Sequence, residues 1–311
     1  MDGSRRILAF GGVGIALALL LMPSPRAIQA DEQALSMAPN TPPTAEQLAA
    51  LLARLAENQH HNDRALEEFE RVERVISRKD GESSEVVSEH TDRVLPSGTG
   101  IMRLAMSQGG SPVSPQVYRR ELQVAIDALA LAIHPNDRYR QDMVKFEKRR
   151  RDRAELVDAA TKAFRVTWAG RETRGPHTLA KLLFSPDPNY KAPNRVTSLF
   201  EHVRATLWVD ESAAQLVRAE AEIASDINFG GGIIARVYHG GHFTLEQSEV
   251  APDIWLPSLN VYDVDGRKFL FGFGVHERIE ITKYRRVGAP AEAIELLRSE
   301  LNSLVAGTPA N

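Results

Sequence analysis

Apolar positions change period along this chain, and the changes divide it into segments. After Thr44, an N-cap residue with Gln47 three positions on, Leu48, Leu51, Leu52 and Leu55 recur at helical spacing opposite Arg54, Glu57 and Asn58. From Phe69 to Ser107 the chain is rich in β-branched residues, broken by Asp80-Gly81 and Pro96-Ser97-Gly98 and ended by Gly109-Gly110. That pattern predicts strand, hairpin, strand, loop, strand, although residues 69–76 also suit a continuation of the first helix. Helical spacing returns over residues 115–161. Pro115 follows Ser114 at a helix start, Leu122, Ile126 and Leu129 share a face, and His134-Pro135-Asn136 interrupts before Met143, Phe146 and Leu156.

Beyond Ala163 the period is two. Apolar residues take alternate places in Phe164–Trp168, and in Gln215–Ile223 the residues Val217, Ala219, Ala221 and Ile223 oppose Arg218, Glu220 and Glu222. In Lys268–Tyr284, read as one strand, Phe269, Phe271, Phe273, Val275, Ile279 and Ile281 oppose Lys268, Gly272, Gly274, His276, Arg278 and Glu280. Asp210–Ser212 and Asp265-Gly266 supply hairpins, 185–194 is a loop, and a short helix covers 196–203. Pro290 opens a last helix with Ile294, Leu297, Leu301 and Leu304 in one stripe, stopped by Gly307-Thr308-Pro309. Alternation with one apolar face is the pattern of an antiparallel sheet covered on one side. The predicted architecture is α+β: a long curved antiparallel sheet, a half-barrel, with helices covering its concave face.

The N-terminus stands apart from this. Arg5 and Arg6 precede an uncharged apolar run from Ile7 to Met22, then Pro23-Ser24-Pro25 and Ala30 before Asp31. This is the layout of a cleaved secretory signal over residues 1–30, with an uncleaved anchor as the other reading. A Pro-rich tether follows over 31–43, then one half-barrel domain over 44–306 with a helical insertion at about 115–161, and a tail over 307–311. The expected location is periplasmic or secreted, with no transmembrane segment after cleavage. The 311 residues carry 43% hydrophobic and 25% charged side chains and no cysteine, which excludes disulfides, thiolate metal sites and a lipidated Cys anchor. A net charge of −3 gives no footprint for nucleic acid.

Short motifs in the β-rich half carry a resemblance. Leu207-Trp208-Val209-Asp210 resembles the "LW(I/V)D" strand and hairpin, and Leu216-Val217-Arg218-Ala219-Glu220 the "LVKAE" strand, of the periplasmic outer-membrane lipoprotein-sorting superfamily. Trp255-Leu256-Pro257 resembles its "WLP", and Phe243–Gln247 its "FTLEQ"-type strand. That superfamily also holds carrier, receptor and sigma-factor-regulator half-barrels. Arg103-Leu104 before Gly109-Gly110, with Pro112-Val113-Ser114-Pro115, resembles its uncharacterised secreted branch. The resemblance implies the half-barrel fold and an envelope location. Its motifs belong to the fold, and none is a catalytic signature.

Residues suited to chemistry are few. His239-Gly240-Gly241-His242 places two imidazoles three apart, short of the three or four ligands of a zinc site and more in keeping with a turn. Gly230-Gly231-Gly232 lacks the Lys-Ser/Thr of a phosphate loop, and no nucleophile elbow occurs. The Lys148–Arg153 run reads either as a basic patch for phosphate or anionic lipid, or as a solvated helix face flanked by Glu147, Asp152 and Glu155. No enzyme activity, cofactor or metal is expected. The expected groove is instead the apolar sheet face, with Trp168, Leu207, Val209, Val217, Phe243, Leu245, Phe269, Phe271, Phe273 and Ile279 as its wall. Left partly open by the helices, it would bind a hydrophobic ligand such as a lipid, an acyl chain or a lipoprotein, each buried methylene contributing about 0.8 kcal/mol. Filled by them, it is core, and the protein is an envelope interaction or sensor module that docks a protein partner through its outer surface or C-terminal helix.

Overall fold

In a computed structural model of the chain, residues 40–229 and 234–305 are described. The predicted signal segment, most of the tether, Gly230–Gly232 and the tail lie outside the described residues. Helix α1 (Ala45–Ala65) starts where the sequence expects it, with Thr44 and Gln47 in a reciprocal capping box. Strands β1 (Phe69–Arg78), β2 (Val86–Pro96), β3 (Ile101–Gln108) and the two-residue β4 (Ser111–Pro112) follow, so Phe69 begins a strand and does not prolong the helix. Helices α2 (Pro115–Ile133) and α3 (Asp137–Ala163) are capped by the side chains of Ser114 and Asn136. Strands β5 (Phe164–Arg174), β6 (His177–Pro186), β7 (Val203–Asp210), β8 (Gln215–Ile223), β9 (Ile227–Phe229), β10 (Ala235–Val237), β11 (His242–Ala251), β12 (Ile254–Lys268) and β13 (Phe271–Arg286) complete the sheet, and α4 (Pro290–Val305) ends the described chain. The segment before β7 is a 3-10 helix over Thr197–His202.

The thirteen described strands form one curved, unclosed antiparallel sheet in the order β4-β3-β2-β1-β13-β12-β11-β8-β7-β6-β5, with β9 and β10 added beside β12. The α+β half-barrel expected from alternation is the observed fold. Its N-terminal three-stranded meander is joined to the rest by β1 pairing with β13, from Phe69 opposite Arg286 to Ser77 opposite Glu277. Pairing of elements so distant in sequence cannot be read from local pattern.

Helices cover both faces. On the inner face, α1 and α3 lay Leu51, Leu52, Leu55, Leu156 and Ala160 against Leu182, Val209, Ala219, Ala221, Phe243 and Leu245. On the outer face, at the β2–β3 end, α2 and α4 pack Leu122, Ile126, Leu129, Ile294 and Leu297 on Leu95 and Leu104. Opposite faces follow from register: Leu95 and Leu104 alternate with Val94 and Arg103, which share the inner face with Arg71.

Two expectations about strands are corrected. Asp265-Gly266 does not turn the chain; it lies inside β12, with Asp265 opposite Gly274 and Gly266 opposite Phe273. The turn is at Phe269-Leu270, where Phe269 takes φ 53°. Glycine at 266 serves a close approach instead, since a Cβ there would lie 2.5 Å from the Arg236 carbonyl oxygen and 2.6 Å from the Phe273 ring. In β8 the expected phase slips at Val217. Trp208 pairs with Arg218 but Val209 with Leu216, so a bulge passes over Val217 and Leu216 joins the core in its place.

Candidate functional site

The expected groove wall divides into three parts. Val209, Phe243 and Leu245 are buried on the inner face, and Trp168 and Leu207 pack half-buried against the same cluster. The Phe243 ring stands edge-on to Tyr262 with centroids 5.9 Å apart. Ile279 is half-buried on this face too, opposite Asn260 and Val75. Val217 and Phe273 are half-exposed beside it, Val217 out of phase for the reason given above. Phe269 and Phe271 leave the wall altogether. Because β12 ends at Lys268, they flank Leu270 at the hairpin tip, with exposures of 54% and 78% against 90% for Leu270 itself.

Helix α1 is seated over the wall by polar contacts as well as by leucines. Arg54 Nη2 donates to the Ser212 carbonyl (2.8 Å), and Asn58 Nδ2 to the carbonyls of Ala213 and Ala214 (2.9 Å each). Gln59 and Gln247 exchange amide hydrogen bonds. Asn62, only 3% exposed, donates to Gln215 Oε1 at 2.9 Å and accepts from the Trp255 N–H at 3.0 Å. The receiving loop is built by Asp210, whose Oδ1 accepts from the Ser212 and Ala213 N–H groups while Oδ2 meets His177 Nδ1 at 2.5 Å. Burial pushes the Asp210 carboxyl up, but these donors outweigh it and hold the group below the usual range. Two surface hollows, of about 370 and 720 Å³, lie away from the apolar wall. The first is formed by Thr41, Pro42 and Pro43 against Arg171 and Glu211, because Asn40 and Thr41 accept hydrogen bonds from Arg171. The second lies between Glu68, Arg286 and the start of α4.

Toward β1 and β13 the inner face becomes ionic, which no local pattern signals. Arg71 and Glu73 lie two apart in a strand and are both buried, with Arg71 Nε 2.7 Å and Arg103 Nη1 2.5 Å from the Glu73 carboxylate. Burial disfavours the Glu73 charge, yet the two guanidinium groups prevail and hold its carboxyl below the usual range. Burial raises the neighbouring Asp92, despite opposing attraction to His90 and Arg103. On the outer face, Arg93 joins Glu70 (2.9 Å), Tyr118 (3.1 Å) and Glu300 (2.6 Å), tying β2 to β1, α2 and α4. Arg93 alone of these groups reaches the helices, and Arg71 Nη1 and Arg93 Nη2 stay buried without a hydrogen-bond partner, so both clusters carry part of the desolvation cost of a buried charge.

The residues singled out for chemistry are separated. His239 meets Asp226 through Nδ1 at 2.8 Å, while His242 begins β11 with its Nδ1 buried and unpartnered. Among the described residues no group of three or more His, Asp or Glu is arranged to hold a metal ion. Within the basic run, Lys148 pairs with Asp152 (2.6 Å), Arg150 with Glu147 and Glu67, and Arg153 with Glu67. Among the described residues no helix is long and apolar enough to cross a membrane. No protein-family model matches the chain, and no curated protein is significantly similar to it.

Proposed function

We propose that this chain is a non-enzymatic, exported module of the cell envelope, a closed half-barrel that docks or senses a partner through its outer surface. The observation that carries this reading is the filling of the inner face: Leu55 and Leu156 from the two helices and Leu182, Val209 and Leu245 from the sheet are all buried in one cluster. A face packed in this way is a scaffold, and recognition then falls to what the scaffold presents outside. The likeness of the β7, β8, β11 and β12 motifs to the lipoprotein-sorting half-barrels supports the envelope setting, as does the signal-like N-terminus. Lipid extraction and mass spectrometry of the purified protein test the reading. No stoichiometric acyl lipid is expected, and recovery of one per chain overturns it.

The second reading is a groove for a hydrophobic ligand, a lipid or a lipidated protein. It is favoured by the seating of α1: Leu48, Leu51 and Leu52 in its first half are only half-buried, and its side-chain anchors begin at Arg54. Lifting that half would uncover the wall around Trp168 and Leu207, and the same extraction would then return an acyl lipid.

A further inference from the structure

Helix α2 carries two apolar stripes, and the rest of the fold uses only one. Leu122, Ala125, Ile126 and Leu129 are buried in the cluster shared with α4 and the β2–β3 end of the sheet. Val117, Val124 and Leu131 lie on the opposite side of the helix and are exposed, Val124 by 59%. They stand seven residues apart, close to two helical turns, so they stack in one ridge ~21 Å long. Single apolar residues are ordinary on a surface, but three in line at heptad spacing have the layout of a seam between helices. Two exposed charges follow one flank of this ridge, Arg120 ~6 Å before Val124 and Asp127 ~4.5 Å after it. Gln123 donates to Asp127 Oδ1 at 2.9 Å, and among the described residues neither charge has an ion-pair partner. The other flank holds Glu121 and the small Ala128, both half-buried.

We propose that this ridge is the contact between two copies of the chain, which pack their α2 helices antiparallel about a two-fold axis at Val124. A two-fold contact is self-complementary, so the surface must read the same from either end. This ridge does. An antiparallel copy centred on Val124 sets Val124 on its own counterpart and Val117 on Leu131, and it keeps each flank beside the same flank. Arg120 then lies within ~1.5 Å, measured along the helix axis, of Asp127 of the second copy, and the symmetry repeats that ion pair on the far side of Val124. Like charges stay apart along the axis, the two Arg120 by ~12 Å and the two Asp127 by ~9 Å. A parallel copy in register would set each charge beside itself. An anionic bilayer would take the valines and the arginine, but it would repel an aspartate held at the same depth. Opposite charges placed symmetrically about an apolar centre select a second copy. The inference goes beyond the docking reading and does not depend on it, since the ridge lies outside the core whether the inner face is filled or lidded.

The absence of cysteine from the whole sequence makes the test direct. A residue on a two-fold axis meets itself, so Val124→Cys in the full chain should form a disulfide-linked dimer under mild oxidation. Val144→Cys, also exposed but on α3, should remain a monomer, and the N-terminal apolar run is common to both variants. Arg120→Asp in the Val124→Cys background sets like charges together on both sides of the axis and should lower the dimer yield about tenfold. Adding Asp127→Arg to that variant exchanges the two charges and should restore the yield, a rescue that also shows that the helix has kept its fold. Three apolar layers make a contact at the low end of specific interfaces, so sedimentation velocity of the native chain should show a weak monomer–dimer equilibrium. The proposal is overturned by a native chain that stays monomeric at every concentration, or by equal cross-linking at 124 and 144. Indifference to Arg120→Asp overturns it too, as does failure of the charge exchange to rescue. Lipid extraction decides the state of the inner face separately, and neither of its outcomes alters the cross-linking expected at Val124→Cys.

Discussion

Replacing Asn62 by Ala removes a side chain that binds α1 to two separate strands. Its amide donates to Gln215 at the start of β8 and accepts from the Trp255 N–H in β12. The hydrogen bond to Gln215 is lost, with a net value of about 1 kcal/mol. The Trp255 N–H then stays buried without an acceptor, at a cost of about 1–3 kcal/mol. The expected loss is therefore about 3 kcal/mol, a large part of the 5–15 kcal/mol typical of a folded domain. Urea unfolding followed by tryptophan fluorescence should show a midpoint lowered by roughly 1 M for a slope near 3 kcal/mol/M. Hydrogen exchange in α1 separates the two functional readings. In a closed core the α1 amides of the native protein open only with the whole sheet, and the variant lowers both together. In a lidded groove they open at lower free energy, and the variant loosens α1 while leaving β7 and β8 as protected as before. A midpoint within 0.2 M of the native value would refute the argument that Asn62 anchors the helix.

Leu216→Ser should cost about 2–4 kcal/mol in thermal or urea unfolding, whereas Val217→Ser should cost under about 1, because the β8 bulge puts the first in the core and the second outside it; equal costs would contradict the register. Glu73→Gln should destabilise the protein by about 3–5 kcal/mol at pH 7 by leaving Arg71 buried without its partner. The carboxyl is held below its usual range in the folded state, so its contribution is complete above about pH 4.5 and lost as pH falls through the lower folded value; native and variant stabilities should converge on acidification, and a gap constant from pH 7 to 3 would count against the ion-pair account. Gly266→Ala should destabilise the β12–β13 hairpin by about 1–3 kcal/mol, since the new methyl meets the Arg236 carbonyl at a distance no side chain tolerates; unchanged exchange of the Phe273 and Lys268 amides would show that β10 does not pack there.

Legibility followed the range of the interaction. The capping box at Thr44, the Ser114-Pro115 helix start and the alternation of β5 are properties of a few neighbouring residues, and each appears where the pattern places it. Of the wall residues, Phe243 and Leu245 kept their expected face because β11 pairs with β8 without a slip there, and Val209 kept its face because the extra residue of the bulge beside it belongs to β8 while β7 stays in step with β6. Val217, Phe269 and Phe271 did not. A period of two carries no mark for a bulge, and it cannot distinguish a strand that continues from one that turns when the turn residues are Phe and Leu. Asp265-Gly266, a strong turn signal, was overridden because β10 pairs along β12 as far as Lys268 and holds it extended.

The amino-acid sequence by itself determined the α+β class, the helices with their caps, most of the strands, and a long sheet with one apolar face, because propensity, capping and alternation act within a few residues. Tertiary structure alone decided that β1 closes onto β13, that α2 and α4 cover the outer face, and that Glu73 and Arg93 collect their partners from distant strands and helices. It also decided that two of the phenylalanines expected to line a groove stand at an exposed tip. Where a strand ends depends on how far its neighbours pair with it, and those neighbours come from elsewhere in the chain.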